Sequence, residues 1–221
     1  MTRPQPWIAP LAVLALAACG GSADPSATPP AAEAGVAAPD ATQSATCPAS
    51  LYQPAQCGAH PGGGHGSGPG QVLGPFDPAL KDCELKPVKL RELTCGSDLL
   101  LLSIGAGWCQ PCIEEMKTIE EKVHARFCGR GLGIVGVLFQ DERQRIPTST
   151  FCAQWRQRFG LTFPVLLDQL QQTKRLMDYQ TGTPLNLLIN PSTMKILFRW
   201  SGEVPKGLDQ QIESELKKLG K

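Results

Sequence analysis

The sequence predicts an α/β domain with a central mixed β-sheet flanked by helices on both faces. Three observations lead there. Apolar runs of strand length alternate with helical stretches, the last two runs join through a tight Asn190-Pro191-Ser192 turn as a hairpin, and an amphipathic helix closes the chain. A chain of 221 residues with a formal charge of +1 has room for one ordinary domain plus extensions. It lacks the basic excess that nucleic-acid binding requires, so no nucleic-acid partner is expected.

At the N-terminus, Arg3 supplies a short charged region, and Trp7 to Ala18 is apolar but too short to span a bilayer as a stable anchor. The segment ends in Leu16-Ala17-Ala18-Cys19-Gly20, which resembles a bacterial lipoprotein signal with its lipobox. That resemblance implies removal of residues 1–18, lipidation of Cys19 and a soluble body tethered to a membrane in the bacterial cell envelope, facing the periplasm. Gly20 and Gly21 stand where an acidic inner-membrane retention residue would be, which favours the outer membrane. The simpler alternative is a secretory signal with an incidental cysteine. Both readings put the chain outside the cytoplasm, in keeping with its nine cysteines.

Residues 19–75 are rich in Ala, Pro, Gly, Ser and Thr and offer too little periodic apolar surface for a core, so they read as a disordered tether. Cys47 and Cys57 are placed to close a small loop within it. Cys57, His60 and His65 offer a weak metal-capture alternative to solvated histidines in a flexible arm.

The folded domain is expected over 76–221. A short segment around Asp82 to Leu93 leads to a strand at 99–105, a helix at about 110–128 stopped by Gly129 and Gly131, and a strand at 132–139. A helix at 149–159, the strand Phe163-Pro164-Val165-Leu166-Leu167-Asp168, a short helix near 171–177 and the hairpin 185–190 and 195–200 follow. Leu208, Ile212, Leu216 and Leu219 mark the terminal helix.

The chemistry concentrates in Gly107-Trp108-Cys109-Gln110-Pro111-Cys112, at the junction of the first long strand and its helix. Two cysteines at this spacing form a reversible dithiol/disulfide pair. Free backbone N–H groups and the positive end of the helix dipole stabilise a thiolate there, so Cys109 is the expected nucleophile. A zinc site built on the same pair would need a second Cys/His pair at matching spacing. The three histidines, His60, His65 and His124, do not supply one, so neither a metal nor a cofactor is expected.

Trp108-Cys109-Gln110-Pro111-Cys112, the following Glu114-Glu115-Met116, Phe163 to Asp168, and Gly182-Thr183-Pro184 before an apolar strand together resemble the thioredoxin superfamily, and within it the exported TlpA/ResA-like thioredoxins. The resemblance implies a thioredoxin-like fold, attack by Cys109, resolution by Cys112, and a cis Thr183-Pro184 bond lying against the dithiol. Thr183 would then dock an extended substrate segment through its backbone, and Trp108 would cover part of the groove. Glu115, three residues after Cys112 on the same helix face, is the acid expected to exchange the resolving thiol's proton. Its plainer role is a first-turn acid favoured by the helix dipole. Ser103 occupies the approximate position of thioredoxin's strand acid and cannot titrate usefully. Lys117 stands where these relatives commonly carry a helix-bending proline.

Beyond Cys19, Cys109 and Cys112, six cysteines remain, which allow 15 pairings. Cys83 with Cys95 is the preferred structural disulfide and Cys47 with Cys57 the second. Cys128 and Cys152 are expected to be free or paired elsewhere, because Cys128 ends a helix at the bottom of the sheet while Cys152 opens the next at the top, on the other face. The leading function is exported thiol-disulfide oxidoreductase, acting as a reductant on cysteine-containing proteins and recharged by a membrane thiol-disulfide donor. A peroxiredoxin-like peroxidase lacks its lone peroxidatic cysteine context here, a Sco-like copper chaperone lacks its spacing and downstream histidine, and a non-catalytic lipoprotein is the plainest alternative.

Overall fold

The computed structural model describes residues 47–53, 57–76, 78–177, 182–202 and 204–221; the signal segment, Cys19 and the first part of the predicted tether lie outside the described residues. The strands are β1 (Leu80–Lys81), β2 (Pro87–Val88), β3 (Leu99–Gly105), β4 (Leu132–Leu138), β5 (Val165–Leu167), β6 (Leu185–Asn190) and β7 (Lys195–Ser201). They form one mixed sheet in the order β2-β1-β5-β4-β3-β6-β7, with β3, β4 and β5 parallel and the outer pairs antiparallel.

β3 and β4 are buried at every position, which is why they read as unbroken apolar runs: a central parallel strand is covered on both faces. Leu100, Leu102 and Ile104 face one core with Leu185 and Leu187. Leu99 and Leu101 face the other, under Met116 and Ile119 of α2 (Gln110–Ile119), Trp155 of α4 (Ser149–Phe159), and Ile212 and Leu216 of α5 (Leu208–Lys218). The first face is closed by Leu90 of α1 (Leu90–Thr94), by Leu176 of the 3-10 turn Gln172–Leu176, and by Leu73 and Phe76.

The step from β3 through α2 to β4, and from β4 through α4 to β5, advances in one direction along the sheet. Right-handed crossovers then put α2 and α4 on the same face. This corrects the expectation that Cys152 opens a helix on the opposite face. Past Ile119 the helix widens into a π turn at Glu120–His124, resumes as α3 (Ala125–Phe127), and tightens to a 3-10 turn at Cys128–Arg130. Gly131, at φ 97°, ends it in the left-handed region. Lys117 stays within regular helix and pairs with Glu114 at 2.7 Å, so the departure from regular geometry lies further along.

Among the described residues the disulfides are Cys47–Cys128, Cys57–Cys95, Cys83–Cys152 and Cys109–Cys112. The expected pairings of Cys83 with Cys95 and Cys47 with Cys57 are therefore not formed. The hairpin β1–β2 that carries Cys83 sits beyond β5, three strand positions from β3 and so roughly 14 Å across the sheet, while Cys95 caps α1 just before β3. From that edge Cys83 meets the first turn of α4 and Cys152.

Cys47 and Cys57 of the predicted tether each bind the domain. The segment 47–53 carries a 3-10 turn, Ala49–Tyr52, with Leu51 buried, and Tyr52 Oη accepts the Ile134 N–H of β4 at 2.8 Å. Further on, Leu73 is fully buried and its N–H donates to the Met194 carbonyl at 2.9 Å, while the Ile196 N–H donates to the Gln71 carbonyl at 2.9 Å. Low hydrophobic content is a sound reason to expect a tether, but cross-links and a few anchors fix these stretches in place of a core of their own.

Candidate functional site

Cys109 caps the N-terminus of α2, with Pro111 in the first turn, where its missing N–H costs nothing. The Cys112 N–H donates to Cys109 Sγ at 3.2 Å, one of the free donors the helix end offers to sulfur. Both cysteines are almost fully buried. Gly105, the last residue of β3, leaves room for them: a Cβ there would lie 2.9 Å from Cys112 Sγ. The loop after β4 holds the motif from the other side, since the Gly107 N–H donates to the Gln140 carbonyl at 2.9 Å.

Trp108 is exposed, its Nε1–H donating to Gln140 Oε1 at 3.0 Å and its ring edge-on to Phe139. The Thr183-Pro184 bond is cis. β6 runs antiparallel to β3 with Leu185 opposite Ile104, so Pro184, one residue earlier, sits at the end of the sheet where β3 gives way to the cysteine motif. Trp108, Cys109, Cys112, Thr183 and Pro184 thus collect at one sheet end.

Glu115 is buried, and both of its carboxylate oxygens are held. Ser103 Oγ donates to Oε2 at 2.8 Å and Asn186 Nδ2 to Oε1 at 2.7 Å. Ser103 and Asn186 are directly opposed on β3 and β6, so a cross-strand pair grips the acid from beneath the helix. Burial pushes the Glu115 carboxyl up to about 7, against the two hydrogen bonds, which act to lower it. A carboxyl in that range exchanges protons readily at neutral pH. Sequence reasoning singled out Glu115 but missed Asn186 and dismissed Ser103, whose contribution is to donate, not to titrate. The available signal was a single polar residue inside each of two apolar runs, Leu99 to Gly105 and Leu185 to Ile189.

The remaining predicted residues lie elsewhere. Cys83 joins α4, Cys95 and Cys57 close beside α1, and Cys47 is bonded at the far end of the long helix; Cys19 falls outside the described residues. With Cys57 bonded to Cys95, the metal grouping with His60 and His65 is not formed; the two rings meet edge-to-face and each bonds the Pro61 carbonyl. Among the described residues, no helix is long and apolar enough to cross a membrane.

The pattern of the AhpC/TSA family matches residues 75–196, from just before β1 into β7. The chain belongs to this family. A curated relative, the thiol-disulfide oxidoreductase ResA of Bacillus thuringiensis, is 32% identical over 141 residues, covering 63% of this chain and 73% of the relative. The ResA of Bacillus cereus is 30% identical over the same span. Among solved structures, a protein assigned as the thiol:disulfide interchange protein DsbE of Chlorobium tepidum superposes with a TM-score of 0.54 at 25% identity, over 67% of this chain and 98% of that one. An uncharacterised conserved protein of Geobacillus kaustophilus, 17% identical, shares the fold with a TM-score of 0.56 over 69% of this chain and 84% of its own. The AhpC/TSA chain described here is a thioredoxin-like thiol-disulfide oxidoreductase, as the resemblance of its cysteine motif implied.

Proposed function

We propose that this chain is an exported, lipid-anchored reductant of protein disulfides working through Cys109 and Cys112. The observation that carries the reading is the redox pair at a helix N-terminus with a buried carboxyl, poised near neutrality, one turn further along. In the reducing direction, the Cys109 thiolate attacks a substrate disulfide, forms a mixed disulfide and expels one substrate thiolate. Glu115 takes the proton of Cys112, whose thiolate then attacks Cys109 Sγ. That closes the intramolecular disulfide and releases the second substrate thiol, so two electrons leave the chain. A membrane dithiol donor returns them by the reverse sequence. Trp108 and the backbone of Thr183 beside Pro184 hold the substrate segment across the sulfurs. Cys19 carries the lipid, on the strength of its lipobox, and places the domain at the periplasmic face of a bacterial membrane, with the outer membrane favoured by Gly20 and Gly21.

The test is the reduction potential of the Cys109/Cys112 pair, measured by equilibrating the purified chain in thiol buffers and trapping free thiols for mass spectrometry. A reductant is expected toward the thioredoxin end, about −270 mV, whereas a value near the DsbA end, about −120 mV, makes the chain an oxidant. Cys109→Ser is expected to reduce insulin disulfide cleavage to background with the fold retained. Hydrogen peroxide consumption with no disulfide cleavage would select the peroxidase reading instead.

A further inference from the structure

At the opposite end of the α2–α3 helix lies a second sulfur site. Glu120, His124 and Cys128 fall four residues apart and line one face of the helix, and Cys47 reaches them from the N-terminal arm. His124 Nδ1 lies 3.8 Å from Cys47 Sγ and 2.9 Å from Glu120 Oε1, and the donor atoms of Cys47, His124 and Cys128 all lie within 4.8 Å of one another. His124 is 1% exposed and Cys128 fully buried. Beside the disulfide, this buried imidazole is held by the Glu120 carboxylate on one side and the Tyr52 phenol on the other.

We propose that the Cys47–Cys128 disulfide is the oxidised form of a zinc-class metal site whose donors are the two cysteine sulfurs, His124 Nδ1 and a Glu120 carboxylate oxygen. A tetrahedral ion with bonds of about 2.3 Å to sulfur and 2.0–2.1 Å to nitrogen spaces sulfur and nitrogen about 3.6 Å apart and two sulfurs about 3.8 Å apart. Cys47 Sγ, 3.8 Å from His124 Nδ1, is already close to that spacing; the bonded sulfurs have to part, and the Glu120 carboxylate, now hydrogen-bonded to Nδ1 at 2.9 Å, has to turn toward the ion. The groups that would orient these donors are in place as well. Once Nδ1 faces the metal, the Nε2–H donates to Tyr52 Oη, 3.0 Å away, and Thr162 holds both Glu120 oxygens, through its hydroxyl at 2.6 Å and its N–H at 2.9 Å. The end of a helix also favours a cation through its dipole, the reverse of the field at Cys109.

The switch balances simply. A dithiol reductant gives two electrons and two protons to Cys47 and Cys128 and leaves as its own disulfide. The divalent ion then displaces both thiol protons, and the His124 ring proton moves from Nδ1 to Nε2. Because Cys47 anchors the arm, this site reports the redox state of the surroundings at a point remote from the active dithiol.

The test uses the full chain carrying Cys109→Ser and Cys112→Ser, reduced with a phosphine under anaerobic conditions and titrated with Co²⁺, then with Zn²⁺ in competition. One equivalent of Co²⁺ with thiolate charge-transfer absorption and tetrahedral d–d bands is expected, at least tenfold weaker in His124→Ala and absent in Cys47→Ser/Cys128→Ser. In chains that keep His124, Zn²⁺ is expected to protect Cys47 and Cys128 from alkylation while Cys57, Cys95, Cys83 and Cys152 react, a readout that does not depend on how His124→Ala folds. Absence of the charge-transfer band, equal alkylation of all six cysteines with and without Zn²⁺, or Co²⁺ affinity unchanged in a folded His124→Ala chain overturns the proposal.

Discussion

Glu115 and Glu120 stand five residues apart on one helix, and their surroundings drive them in opposite directions. Burial raises both. For Glu115 the partners are a hydroxyl and an amide, neutral donors that only partly offset the loss of water, and the carboxyl ends up at about 7. Glu120 keeps 21% of its side chain exposed, and burial is outweighed by the His124 imidazole and two hydrogen bonds from Thr162, so it falls below the usual carboxylate range. Depth and partner chemistry, not residue type, separate a carboxyl raised to near neutrality from one held below its usual range.

The largest test of this contrast removes what lies beside Glu120. Cys47→Ser/Cys128→Ser opens a loop spanning a sequence separation of 81 and is expected to cost about 4 kcal/mol in denaturant unfolding, with the insulin reduction rate kept within about twofold. A collapse of that rate would mean the two helix ends are not independent.

Next in size is the stability of Glu115 itself. Its folded-state value lies above the ordinary 4.5, so the stabilisation is complete below pH 4.5 and drains away as pH rises toward about 7, about 3 kcal/mol in all. Glu115→Gln is expected to flatten that decline in urea melts run from pH 4 to 9. The same substitution is expected to slow disulfide reduction at pH 7 by about a hundredfold, while Glu120→Gln leaves it within about threefold. Equal losses from the two would erase the distinction.

Smaller effects sharpen it. Ser103→Ala and Asn186→Leu each remove a donor to the ionised Glu115 and are expected to move the pH–rate profile about one unit toward alkaline pH without changing its height. Thr162→Val is expected to raise the Glu120 carboxyl and cost about 1 kcal/mol, with no movement of that profile.

Much of this was legible in the sequence, for definite reasons. The runs at Leu99–Gly105 and Leu132–Leu138 announce covered parallel strands, and a cysteine pair between strand and helix announces redox chemistry. The disulfide partners were not legible, because they depend on strand order: only when β5 is known to continue the same march as β3 and β4 does Cys152 come to the face and edge where Cys83 waits. Asn186 was hidden for a related reason, since its partner lies 71 residues earlier on a helix above the sheet. The Glu120, His124, Cys128 spacing was readable, but its fourth member sits in a segment whose composition argues against any fixed position.

That segment has one more effect. β7 is the last strand of the sheet, and the arm lies along its free side, with Val72 bridging Lys195 in antiparallel fashion and backbone bonds joining Gln71 to Ile196 and Gly70 to Ile196. The chain thereby shields an edge that would otherwise template strand addition by a neighbouring copy. Trimming it by proteolysis would turn a blunt border of the sheet into a sticky one.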